Sequence, residues 1–174
     1  MVVALLGLAG CSENHGHDHA HDHAPTASES NASQTVAPQV QDGIAVTDAW
    51  VRATVGEQDA TGAYFTVRSE QPVTLVGVAS PAAEVVEVHE MTMEGDIMRM
   101  RKADRLAVDP GQALVLKPGG YHVMLMALTA PVETGQEVEL SLQFEKPDGS
   151  ILEMPVKAVA APTASTSGGQ PHHH

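Results

Sequence analysis

Through the middle of this chain, apolar side chains return at every second position in short runs, and no stretch carries a sustained helical stripe. Val138, Leu140, Leu142 and Phe144 alternate with Glu139, Ser141 and Gln143; after Pro147, Asp148 and Gly149, the residues Leu152, Met154 and Val156 alternate again. Successive side chains of a strand point to opposite faces, so this pattern predicts a hairpin with one buried face. Runs of the same kind cover residues 44–52, 63–68, 73–78, 83–93, 97–101, 113–117 and 122–128. Turn-forming residues separate them at Gly56, Gln71-Pro72, Gly95, Asp109-Pro110-Gly111 and Pro118-Gly119-Gly120. Many short strands at regular spacing predict an all-β fold, a Greek-key β-sandwich or small barrel.

The alternation stops at both ends. From Ser12 to about Gln41 the sequence is polar, acidic and poor in large apolar residues, and a second such stretch runs from near Ala160 to the end. Segments of that composition bury too little apolar surface to fold, so 12–41 and 160–174 are expected to be disordered tails around a domain at 42–159. Residues 1–11 are almost wholly apolar and end in Leu8, Ala9, Gly10 and Cys11. This resembles a bacterial lipoprotein signal, in which Cys11 would be acylated and become the mature N-terminus. The run has no Lys or Arg before it, is shorter than an ordinary signal and is too short to span a bilayer. The expected location is periplasmic or otherwise extracytoplasmic, with a lipid anchor to a membrane.

With Cys11 as the sole cysteine, a disulfide framework and a Cys-based zinc cluster are excluded, and so is a Cys-ligated copper centre unless Cys11 serves, which the lipoprotein resemblance speaks against by making it the anchor. The formal net charge of -13 would repel phosphate backbones, so no nucleic acid partner is expected. Chemistry must come from histidine and methionine. Five of the ten histidines lie between His15 and His23 and three end the chain, which leaves His89 and His122 in the domain. Met91, Met93, Met98, Met100, Met124 and Met126 cluster near those two in sequence, while Met154 lies apart.

Strand geometry groups some of these. His122 and Met124 are two apart and share a face. If Gly95-Asp96 is a two-residue hairpin loop, with glycine where a type II′ turn wants it, Met91 pairs with Met100 and Met93 with Met98. Met100 then shares a face with His89. A three-residue loop would put Met100 on the opposite face, so the grouping depends on register. Two imidazoles and two neutral thioethers are a soft ligand set that binds zinc, calcium or magnesium poorly and selects monovalent copper or silver; it reads as Cu(I).

The stretch from His89 to Met126, HEMTMEGDIMRMRKADRLAVDPGQALVLKPGGYHVMLM, closely resembles the periplasmic copper chaperones of the PCu(A)C family. That family's motif is a histidine, ten residues, a methionine, twenty-one residues, then histidine, any residue, methionine, and His89, Met100, His122 and Met124 fit it without a gap. The opening Val46-Thr47-Asp48-Ala49-Trp50-Val51-Arg52 is similar to the family's first strand, and the resemblance covers about residues 44–158. It implies a cupredoxin-like barrel with Cu(I) at an exposed edge, and delivery of the copper ion to respiratory oxidase. The implied partners are a thioredoxin-fold copper chaperone and the cytochrome oxidase subunit carrying the dinuclear copper centre.

Around the motif, Met91, Met93, Met98 and Met126 are expected to be core or surrounding residues, with Met91 and Met126 as reserve ligands. Trp50 and Tyr121 are expected to pack, and Glu87, Glu90 and Glu94 to be solvated. The tract HGHDHAHDH could collect Cu(II), zinc or nickel, or serve as an acidic spacer. His172 to His174 are either a second metal tail or the remnant of a purification tag. No acid, base or nucleophile constellation is visible, so no enzyme is expected. The alternatives to a chaperone are a copper-sequestering or resistance protein that stores metal without delivery, a copper oxidase or reductase on the same scaffold, which would need an open coordination position, and a zinc-buffering lipoprotein that acts through its linker.

Overall fold

A computed structural model describes residues 36–162. The apolar segment ending at Cys11, the tract from His15 to His23 and the histidines 172–174 lie outside the described residues. Among those described, every regular element is a strand: β1 (Gln39–Gln41), β2 (Ile44–Arg52), β3 (Ala60–Ser69), β4 (Val73–Ala79), β5 (Ala83–Glu94), β6 (Ile97–Lys102), β7 (Leu106–Val108), β8 (Ala113–Leu116), β9 (Tyr121–Leu128), β10 (Glu137–Glu145) and β11 (Ile151–Ala161). They follow one hydrogen-bonded path, β6-β5-β9-β8-β3-β2-β11-β10-β4-β7, with β1 on β2 and a further pairing of β9 with β3. The path is open, with β6 and β7 at its ends, and it curls so that β4 packs against β5.

The alternating residues supply the core. Val138, Leu140, Leu142 and Phe144 of β10 and Met154, Val156 and Ala158 of β11 are buried with Ile44, Val46, Phe65, Val67, Val123 and Leu125. Burying such an apolar face is the main favourable contribution to folding, roughly 25 cal/mol per Å² removed from water. On β9, Val123 and Leu125 take the inner face, which leaves His122, Met124 and Met126 on the outer one.

Strand β2 departs from strict alternation. Val46 and Ala49 are both buried although three positions apart, because a bulge between Thr47 and Trp50 sets two residues, Asp48 and Ala49, against one on β3, with Asp48 at φ 55. The bulge turns Trp50 outward, where it stacks on Tyr64 at 4.4 Å between ring centroids. A β-branched residue tolerates that backbone poorly. Asp48→Val is expected to lower stability by about 1–2 kcal/mol, seen as a melting temperature some degrees lower by circular dichroism; an unchanged melting point would contradict the strain.

Order extends past both expected limits of the domain. Strand β1 lies within the stretch read as linker, and β11 continues through Ala160 and Ala161, beyond residue 159. At the first end the side chain of Gln39 accepts the N–H of Lys157 at 2.7 Å and donates to its carbonyl at 2.9 Å. At the second, Ala160 is buried and the end of β11 pairs in parallel with β2. Neither three residues on a side-chain amide nor two alanines leave a periodic signal. The same brevity hid β7, which pairs with β4.

Candidate metal centre

Three neighbouring strands, β6, β5 and β9, build the site. The loop from Glu94 to Ile97 holds two residues, and Gly95 has φ +63 with Asp96 outside the left-handed region, as a type II′ turn requires. Met91 therefore faces Met100, and Met93 faces Met98. On the other side of β5, His89 stands directly opposite His122, Glu87 opposite Met124 and Val85 opposite Met126. Because faces alternate by two, His89, Met91, Met93, Met98, Met100, His122, Met124 and Met126 all belong to one face.

The side chains of the expected four converge there. His89 Nδ1 lies 3.0 Å from Met100 Sδ, and the His89 and His122 rings meet edge to face at 5.9 Å between centroids. Met124 and His122 line one shallow depression of about 400 Å³ with Met91 and Met100, and Arg52 and Tyr64 form its far wall. The Arg52 guanidinium lies 5.8 Å above the Tyr64 ring.

Backbone and carboxylate partners fix both imidazoles. Pro118 and Gly119 make a tight turn closed by a 3.1 Å hydrogen bond from Gly120 N–H to the Lys117 carbonyl, with Gly119 at φ +80. That turn aims the Gly120 carbonyl at His122, whose Nδ1–H donates to it at 3.0 Å. A carbonyl only accepts, so in the neutral ring the free lone pair is on Nε2. In His89 the roles reverse: Nε2–H donates to Glu87 Oε2 at 2.9 Å, and the lone pair on Nδ1 is turned toward Met100. A ligating histidine held through its other nitrogen by a carbonyl or carboxylate is the arrangement that metal sites use to orient the ring. The His89 N–H and the Lys102 ammonium, 3.1 Å away, hold the Glu87 carboxyl below its usual range. This network is therefore present above the ordinary carboxylate pKa and is lost as pH falls through the lowered one.

Some neighbours differ from expectation. Of the two roles expected for Met93 and Met98, core or surrounding, the structure excludes the core: they are 64% and 55% exposed, because the β5–β6 hairpin projects beyond the sheet that would cover them. Glu87, expected to be solvated, orients His89. Glu94 is paired with Arg99 and Arg101. A hydrogen bond to Glu90, with burial second, raises the phenol pKa of Tyr121. Arg52 and the Gly120 carbonyl left no sequence signal, since they join the site through the bulge in β2 and the turn before β9, and Tyr64 meets them from the outer face of β3. Among the described residues no three His, Cys, Asp or Glu side chains come together as a metal cluster, so a metal on this face would draw on thioether sulfur.

Comparison with known proteins gives the relationship. Residues 44–156 match the family described as "Putative lipoprotein LpqE-like". A "Putative lipoprotein" of Leifsonia xyli subsp. xyli (strain CTCB07) is 32% identical over 156 residues, 88% of this chain and 84% of that one. Among solved structures, the copper-bound PCuAC domain from PmoF2 superposes with a TM-score of 0.58 at 24% identity, over 73% of this chain and 100% of that domain. A Deinococcus radiodurans protein solved in solution with Cu(I) gives 0.54 at 28% identity, over 79% and 87%. The chain belongs to the LpqE-like lipoprotein family, and its strand domain has the cupredoxin-like fold of PCuAC domains.

Proposed function

We propose that the protein is an exported, lipid-anchored Cu(I) chaperone that holds its cargo through His89, Met100, His122 and Met124. One observation carries the reading: His89 Nδ1 and Met100 Sδ meet at 3.0 Å on the face that also bears His122 and Met124. The copper named in the solved PCuAC structures supports the choice of metal, as does the softness of the donors. In the periplasm the copper ion passes by ligand exchange to a thioredoxin-fold copper chaperone and the oxidase subunit carrying the dinuclear copper centre. An edge site with neutral ligands suits transfer, since an incoming thiolate or thioether can replace donors one at a time, and no catalytic step is required. The tract from His15 to His23 serves as a first collector, in part as Cu(II).

Anaerobic Cu(I) titration followed by ligand counting with X-ray absorption tests the site. Two sulfur and two nitrogen donors are expected, and an all-nitrogen shell would overturn it. Mixing the loaded protein with an apo-oxidase copper fragment tests delivery, because a sequestering protein would keep its metal. Glu87 adds a sharper check. Glu87→Ala is expected to weaken Cu(I) binding by about 10–100-fold, the usual cost of losing an outer partner of a ligating histidine. Unchanged affinity in a competition titration would mean that Glu87 does not orient the ligand.

A further inference from the structure

The geometry points to a second soft-metal site on the β5–β6 hairpin, formed by the thioethers of Met91, Met93 and Met98 and taking Cu(I) or Ag(I). Met93 and Met98 are largely exposed and have no core to fill, so packing does not account for them. The pairing type brings their sulfurs within reach of one another. Met91 donates its N–H to the Gly120 carbonyl at 3.2 Å, away from β6. The Met91–Met100 pair and, two residues on, the Met93–Met98 pair are therefore the non-hydrogen-bonded kind, in which facing side chains approach most closely. Met91 is two residues from Met93 on the same face and diagonal to Met98, a separation that long flexible side chains bridge.

The electrostatics favour a cation at this place. The hairpin's arginines, Arg99 and Arg101, lie on the opposite face, where both pair with Glu94 and Arg101 stands across from Glu90. The nearest lysine on the thioether face, Lys102, is bound to Glu87 at the far end. Three neutral sulfur donors on a chain of formal net charge -13 attract a soft monovalent ion and offer little to a hard divalent one. Met98 and Met91 also line the depression shared by Met100, His122 and Met124. An ion on the hairpin thus sits beside the inner site, and moves into it when Met91 and Met100 exchange places as donors.

Titrating the full chain anaerobically with Ag(I), with carbon-13 in the methionine methyl groups, reads each sulfur separately. The expected result is two steps: one moves the methyls of Met100 and Met124, a weaker one moves those of Met91, Met93 and Met98, and buried Met154 stays still. In the double variant Met93→Leu with Met98→Leu the weaker step should lose at least tenfold in affinity while the first is unchanged. Methyls of Met93 and Met98 that stay still to several equivalents would overturn the second site, as would their moving only together with Met100 in a single step. If they move and those of Met100 and Met124 do not, the hairpin site stands and the inner four-ligand site falls.

Discussion

Replacing Met100 and Met124 together by leucine should weaken Cu(I) binding by about 1,000-fold or more while leaving the fold in place. Loss of an outer partner alone typically costs about 10–100-fold in metal affinity, and each of these changes removes a donor atom itself. Leucine keeps the apolar volume and gives up only the sulfur, so the measurement isolates ligation. Met100 is half exposed and Met124 only partly buried, which limits the expected change in unfolding free energy to about 0.5 kcal/mol. His89 and His122 would remain oriented by Glu87 and Gly120 but with two nitrogens alone, a set that no longer favours a soft ion. Anaerobic competition against a chromophoric Cu(I) chelator measures the loss. Wild-type affinity in the double variant would remove the two thioethers from the ligand set.

The sequence made much of this face legible, because strand periodicity is a rule about faces. His122 and Met124 had to project together once their segment was a strand, and a two-residue loop at Gly95-Asp96 sufficed to put Met100 beside His89. What stayed hidden was set by tertiary contacts. Trp50 would share a face with Ile44 and Val46 in a regular strand, and only the bulge at Asp48 turns it and Arg52 to the side where Tyr64 lies. The tautomer of His122 depends on a carbonyl two residues earlier, whose direction comes from the Pro118-Gly119 turn. That Met93 and Met98 surround the site and do not enter the core was not legible either, because hydropathy says how apolar a side chain is and not whether a neighbouring strand covers it. The hairpin projects, and so they stay in solvent.

Phe144→Ala should do the reverse of the double methionine change, lowering stability by about 3–5 kcal/mol, the cost of emptying a buried phenylalanine site. Phe144 is fully buried on β10, opposite Leu152 of β11 and Leu75 of β4, and neither strand carries a candidate ligand. Against a total of about 5–15 kcal/mol for a domain of ordinary stability this is a large fraction, and urea denaturation would show it as a lower midpoint at unchanged slope. Chains that remain folded should bind Cu(I) with wild-type affinity, since β5, β6 and β9 keep their register. Bound metal then returns part of the loss: at a free Cu(I) concentration of 100 times the dissociation constant the folded state gains about 2.7 kcal/mol by linkage. The Met100→Leu and Met124→Leu double variant should gain almost nothing at that concentration. A cost under 1 kcal/mol for Phe144→Ala would contradict the packing of β10, and an equal stabilisation of both variants by Cu(I) would place the metal on donors other than Met100 and Met124.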